Sequence, residues 1–169
     1  LLTPEDTDKF APVNQTSQIK EVRAGFNKSF FITCDNQLYS CGKKYLSGQD
    51  KDFKDMKDIT PRLLQFQFFK NMEIVDVDCG VNYACAITSE GEVYSWGSNT
   101  FMQLGYKLPQ GKKKSSDDDF ARVPRKIEYF AEIGVRIKQI SCSKGEKHNH
   151  TGALTEDGRV FMWGDPYKG

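Results

Sequence analysis

Apolar residues along this chain fall into short alternating runs separated by polar turns, most clearly between residues 74 and 105. Ile74, Val75, Val77 and Cys79 form one run, Tyr83, Cys85 and Ile87 a second, and Val93, Tyr94 and Trp96 a third. Short runs of β-branched and aromatic residues with a period of two predict strands. Ser89-Glu90-Gly91-Glu92 predicts a tight hairpin turn, because glycine accepts the positive φ such a turn needs. Residues 50–57 and 129–134 predict a turn or two of helix at most, since neither carries a sustained apolar stripe.

The same pattern is written three times. Shifting residues 19–42 by 55 positions lays them on 74–97 without a gap, and nine of the 24 positions are identical. Gly25/Gly80, Thr33/Thr88, Tyr39/Tyr94 and Gly42/Gly97 are among them. A third copy, 137–164, needs four extra residues in its middle, after which 153–164 falls on 86–97. A period of 55 to 67 residues signals a repeat architecture, in which one unit cannot bury its own apolar face and stacks on its neighbours. A fourth strand per unit is expected near Arg62-Leu63-Leu64 and Arg125-Lys126-Ile127, each preceded by a proline, Pro61 or Pro124, which suits an edge strand or a strand start. The expected fold is all-β: a partial β-propeller with four short antiparallel strands per blade. Residues 1–18 read as a linker or extended arm. The repeats then run 19–73, 74–136 with a long loop at 106–122, and 137–169, truncated.

The residues at fixed repeat positions carry a family resemblance. Cys79-Gly80, Ala86-Ile87-Thr88, Gly91, Val93-Tyr94, Trp96-Gly97, Asn99 and Gln103-Leu104-Gly105 resemble the repeat of the regulator of chromosome condensation (RCC1) family. In copy three His150, Ala153-Leu154-Thr155, Gly158, Val160, Trp163 and Gly164 match. Departures are Tyr83 and Lys28 at the usual histidine, Met102 at a usual glycine, Cys41 at the usual tryptophan, and a shifted remnant loop at Gly48-Gln49. The resemblance implies a seven-bladed propeller, of which this chain supplies under three blades, so it reads as an excerpt of a larger protein. Kelch-type Gly-Gly doublets and WD40 signatures do not occur. On this reading Gly25, Gly42, Gly80, Gly91, Trp96, Gly97, Gly158, Trp163 and Gly164 are structural.

Composition narrows the function. With 24 Lys+Arg against 23 Asp+Glu there is no global field to draw in nucleic acid, and no basic-aromatic stripe. No run is long enough for a transmembrane helix, so membrane insertion is not expected. Five cysteines without a C-x-x-C pair read as free, core thiols of an intracellular, reducing compartment.

Little in the chain suggests catalysis. Cys142, His148 and His150 fall short of a metal ligand set, so no metal and no cofactor are expected. Five residues separate Gly105 from Gly111 where a phosphate-binding loop has four between its glycines. Asp76 and Asp78 share a strand face by period two and read as solvated rim carboxylates. The loop 106–122 holds Lys112, Lys113 and Lys114 followed by Asp117, Asp118 and Asp119, a candidate partner-binding arm. Ser115 and Ser116 each precede an aspartate by three residues and are candidate phosphorylation sites; an intact mass of the native protein without phosphate on this loop overturns that reading. The expected function is a non-enzymatic interaction or scaffold module for other proteins. The alternative is guanine-nucleotide exchange on a Ran-like small GTPase, as the resemblance implies.

Overall fold

The computed structural model describes residues 18–26, 28–42, 64–109, 119–145 and 147–165. The expected arm before Gln18, the helical turn at 50–57, Gly48-Gln49 and Pro61-Arg62-Leu63 lie outside them. Three antiparallel sheets follow one another along the chain. The first has strands β1 (Ile19–Ala24), β2 (Lys28–Thr33), β3 (Leu38–Gly42) and β4 (Leu64–Gln65), in that order. The second has β5 (Ile74–Cys79), β6 (Tyr83–Thr88), β7 (Val93–Ser98) and β8 (Phe120–Lys126). The third has, among the described residues, β9 (Ile137–Cys142), β10 (His150–Thr155) and β11 (Val160–Gly164). A 3-10 turn, Gln67–Phe69, and a short helix, α1 (Glu128–Glu132), complete the elements among the described residues.

Each sheet is wound by the same local chemistry. The threonine ending the second strand accepts the backbone N–H four residues on: Gln37 to Thr33 at 2.9 Å, Glu92 to Thr88 at 3.3 Å, Arg159 to Thr155 at 2.8 Å. Inside that hairpin one residue turns left-handed. It is Asn36 (φ 61°), Gly91 (φ 73°) and Gly158 (φ 90°) in the three copies, so copy one uses the next most tolerant residue type. A second left-handed position closes the third strand at Gly42, Gly97 and Gly164, with φ of 108°, 104° and 115°. At Gly164 a Cβ would sit 2.5 Å from the Asn149 carbonyl oxygen, so strand and preceding loop meet there only because no side chain intervenes.

The apolar cores lie between sheets. Phe30, Ile32 and Leu38 of the first face Val77, Ala84 and Trp96 of the second. Cys85, Ile87 and Val93 of the second face Ile137, Ile140 and Ala153 of the third. Strand β6 is therefore buried at every residue, and its small Ala84, Cys85 and Ala86 let sheets close on both sides. The first strand of each sheet carries a β-bulge at the same place: Lys20, Val75 and Lys138 are the extra residues. The bulge puts Ile74 on the same face as Val77 and Cys79, an odd spacing that strict alternation forbids.

Two expectations need correction. The fourth strand of the second sheet starts at Phe120, so Pro124 lies inside it and not at its start, although the strand is the edge of its sheet, where a proline is expected. From Ser95 to Gly97 is two steps on β7, while the matching Arg125 to Ala121 is four on β8. Two residues of β8 thus bulge out of the ladder, and Pro124 is tolerated there because its missing N–H has no ladder partner to lose. Not all cysteines are core. Cys79, Cys85 and Cys142 are buried, whereas Cys41 is half-buried and Cys34, in the β2–β3 turn, is exposed.

Candidate functional site

Several buried polar groups bridge the boundaries between sheets. The first residue of the second strand reaches forward into the next sheet. Lys28 donates from Nζ to the carbonyls of Gly80 (2.9 Å) and Val81 (3.1 Å). Tyr83 donates its hydroxyl to the His150 carbonyl (2.6 Å) and accepts from the Ser143 N–H (3.1 Å). Burial pushes the Lys28 ammonium down to about 8 and the Tyr83 hydroxyl up. His150 occupies the same slot in the third sheet and is exposed. Gly25 and Gly80 lie under these contacts. A Cβ on Gly25 would meet Cys79 Sγ at 2.7 Å, and one on Gly80 would meet the Tyr83 ring.

Asp76 and Asp78 do not lie in solvent. Both are buried, and they accept the backbone N–H groups of Ile140 (3.2 Å) and Cys142 (2.7 Å) on β9. Strand β9 is an edge of its sheet, so these N–H groups lack a strand partner, and the two carboxylates supply one. Lys144 completes the set by pairing with Asp78 and donating to the Cys79 carbonyl at 2.8 Å. Burial raises the Asp76 carboxyl above its ordinary range.

The loop after β7 is fixed from within and from the third sheet. Asn99 donates from Nδ2 to the Tyr106 carbonyl (2.7 Å) and accepts the Leu104 N–H on Oδ1 (3.0 Å). Gln103 Oε1 accepts the Phe101 N–H (2.8 Å), Ser95 Oγ donates to the Leu104 carbonyl (2.6 Å), and the Tyr106 hydroxyl donates to the Ser95 carbonyl (2.7 Å). The Gln103 carbonyl accepts from both Thr151 Oγ1 and Trp163 Nε1 at 2.9 Å. In this loop Asn99 therefore holds the turn together from within, and the Gln103 carbonyl ties it to the third blade. At the tip Phe101 and Met102 stay 37% and 42% exposed, and Met102 is held left-handed at φ 60°.

A groove of about 340 Å³ opens at the root of the long loop, against β8. Leu108, Pro109, Phe120, Ala121 and Val123 line it with Arg122 and Arg125. Of the residues singled out in the sequence, Trp96 packs edge-on against Phe30 and Phe66, and Trp163 packs against Phe130. Asp119 is exposed, and its carbonyl accepts the Asn99 N–H at 2.7 Å. Lys112, Lys113, Lys114, Ser115, Ser116, Asp117 and Asp118 lie outside the described residues. The apolar tip and the groove went unread in the sequence. The one signal for the tip was methionine at a position where the repeat has glycine.

Comparison with known proteins places this geometry. Models of the regulator of chromosome condensation (RCC1) repeat match residues 74–103 and 90–154. The human E3 ubiquitin-protein ligase HERC2 is 31% identical over 144 residues, covering 85% of this chain and 3% of HERC2. The secretion-regulating guanine nucleotide exchange factor of Bos taurus is 31% identical over 149 residues, covering 86% of this chain and 28% of that protein. The chain thus spans well under a third of either relative. Among solved structures, human WBSCR16 superposes with a TM-score of 0.68 at 22% identity, over 89% of this chain and 34% of that one. Yeast RCC1 (Prp20), solved bound to Kap60, superposes with a TM-score of 0.64 at 23% identity, over 87% and 32%. Matched by repeat and by fold, the chain carries repeats of the RCC1 family, and its three sheets are blades of an RCC1-type β-propeller.

Proposed function

We propose that these blades act as a non-enzymatic protein-interaction module within a larger RCC1-like propeller protein. The observation that carries this reading is the Phe101–Met102 tip. An aromatic and a thioether side chain stand exposed on a loop whose backbone is locked by hydrogen bonds to Asn99, Gln103 and the third blade. Pre-organised apolar anchors of this kind lose little entropy on binding and make effective contact centres. A left-handed non-glycine residue at the tip is a local strain of the sort that collects at working sites. Three thiols buried between blades support a reducing compartment.

The test is affinity capture from cell extract with the intact protein, comparing the parent with a Phe101→Ser/Met102→Gly double variant. Partners lost from the variant while its melting temperature is kept support the module. An identical partner set overturns it.

Guanine-nucleotide exchange on a Ran-like small GTPase is the second reading, favoured by the bovine relative's name. It predicts accelerated release of labelled GDP from such a GTPase. Release unchanged across a GTPase panel removes it.

A further inference from the structure

Two cysteines face each other across the boundary between the second and third blades. Cys85 lies directly opposite Asp78 in the β5–β6 register, so their side chains share the face turned to the third blade. On that face the Asp78 carboxylate accepts the Cys142 N–H at 2.7 Å. Two residues before Cys85, the Tyr83 hydroxyl accepts from Thr151 Oγ1 at 3.3 Å, and Thr151 lies directly opposite Cys142 in the β9–β10 register. The contacts on either side of Cys85 thus converge on Cys142, and the two thiols are hydrogen-bonded to each other. Both are buried in the same apolar core.

The blades are close enough here for a covalent link. Cα atoms of β6 and β9 approach within 8 Å of each other. Packed sheets usually lie about 10 Å apart, and a disulfide spans about 4.4–6.8 Å between Cα atoms. A small closing movement therefore brings the two sulfurs to bonding distance. Cys79 does not compete. It lies on the opposite face of β5, where a Cβ added to Gly25 of the first blade would meet its Sγ at 2.7 Å. Burial raises the Cys142 thiol well above its ordinary value, which keeps it protonated and unreactive while the boundary is closed.

From this we infer that Cys85 and Cys142 form a redox modification site, which a hydroperoxide closes to a disulfide that staples the second blade to the third. One thiolate attacks a peroxide oxygen: an S–O bond forms, the O–O bond breaks, and the hydroxide released takes up a proton. The second thiolate attacks that sulfur: the S–S bond forms, the S–O bond breaks, and a second hydroxide is released and protonated. Two thiols lose two electrons and two protons, and hydrogen peroxide becomes two waters. In a reducing compartment the pair rests as thiols, and the staple forms when oxidant is present while the boundary opens. The boundary it fastens is the one where Thr151 and Trp163 hold the Gln103 carbonyl. The inference stands apart from the interaction-module reading.

The test treats the reduced, intact protein with hydrogen peroxide at a temperature just below its melting transition. The remaining thiols are then alkylated in denaturant, and a protease digest is mapped without reductant by mass spectrometry. The expected product is a linked pair of peptides carrying Cys85 and Cys142, lighter by two hydrogens than its halves. It should be absent before peroxide and removed by dithiothreitol. Cys34 is exposed and should oxidise first, which shows that the oxidant is active. The linked protein should melt several degrees higher, because the bond restricts the unfolded chain, and dithiothreitol should reverse the rise. Cys85 and Cys142 recovered alkylated after Cys34 has oxidised would overturn the inference. So would either one linked to Cys79, or both carried on to sulfinic acid without a link. A linked pair that leaves the melting temperature unchanged or lower would remove the staple. Peroxide should leave the melting temperature of Cys142→Ala in place, and an equal rise there would assign the effect to other thiols. The peptide map needs only the parent protein, so it decides the pairing even where Cys142→Ala does not fold.

Discussion

Asp78 of the second blade accepts the backbone N–H of Cys142 of the third at 2.7 Å, across a boundary 64 residues apart in sequence. Asp76 does the same for Ile140 two residues earlier. A pair of carboxylates spaced by two on one strand thus matches a pair of N–H groups spaced by two on the next blade's edge. An unpaired buried N–H is costly, so this pairing fixes the register between blades as well as joining them.

Replacing Asp78 with Ala leaves the Cys142 N–H without an acceptor and Lys144 without its carboxylate. The expected loss is about 1–3 kcal/mol of unfolding free energy, measured by urea denaturation of the intact protein. Glu156→Ala, which removes an exposed pairing with Arg136, should cost well under 1 kcal/mol by the same measurement. Equal effects from the two would show that Asp78 is no more than a surface charge.

Lys28 gives a pH signature. Burial holds its ammonium down at about 8, while the unfolded chain keeps that proton to about 10.4. Above pH 8 the unfolded state binds more protons, so stability rises with pH there. Cys79 acts in the opposite sense: burial holds its thiol up at about 11, so stability falls once unfolded cysteines ionise. Between about pH 7.5 and 8.5 the Lys28 contribution amounts to roughly 0.7 kcal/mol. It is read as the difference in slope between the parent and Lys28→Met. Parallel slopes would mean that Lys28 is solvated in the native state.

Gly97 and Met102 make opposite predictions from the same backbone rule. Gly97 has φ 104°, so Gly97→Val should cost at least about 2 kcal/mol and lower the melting temperature by several degrees. Met102 has φ 60°, where a side chain costs about 1–2 kcal/mol. Glycine there carries an entropic cost of about 0.5–1 kcal/mol, so Met102→Gly should be neutral or stabilise by up to about 1 kcal/mol. A Gly97→Val protein that melts like the parent would mean that this position tolerates a side chain.

Asn99 should control the tip. Asn99→Ala removes two of the bonds that fix the loop, and hydrogen exchange at the Leu104 amide should quicken about tenfold or more. Exchange at the Ile87 amide, in β6, should not change. Unaltered exchange at Leu104 would shift the credit for loop rigidity to Gln103 and Tyr106.

The repeat, the strands and the hairpin turns were legible in the sequence, because each rests on local rules. The left-handed residue at Gly91 and Gly158 and its Asn36 counterpart follow from which residues accept positive φ. The threonine before each turn recurs because one hydroxyl accepts the same N–H every time. Stacking of the copies follows from faces too apolar to leave in water. What a periodic reading missed depends on breaks in periodicity. The bulge at Val75 changes the parity of β5, so Ile74 joins Val77 on one face and Asp76 and Asp78 turn toward the third blade. No local rule distinguishes such an aspartate from one pointing into solvent.

The sequence by itself therefore determined the unit: strand, turn, strand and the residues that must be glycine. It did so because φ preferences and apolar alternation act over a few residues. Only the tertiary structure decided what the units do to each other. Asp78 and Cys142, Tyr83 and His150, and Gln103 and Trp163 meet because one sheet lies on the next, at separations of 64, 67 and 60 residues. The exposed tip at Phe101 and Met102 depends on that stacking too, because Thr151 and Trp163 of the third blade hold its loop. Exposure is a property of what the neighbouring blade leaves uncovered, and no stretch of chain carries it alone.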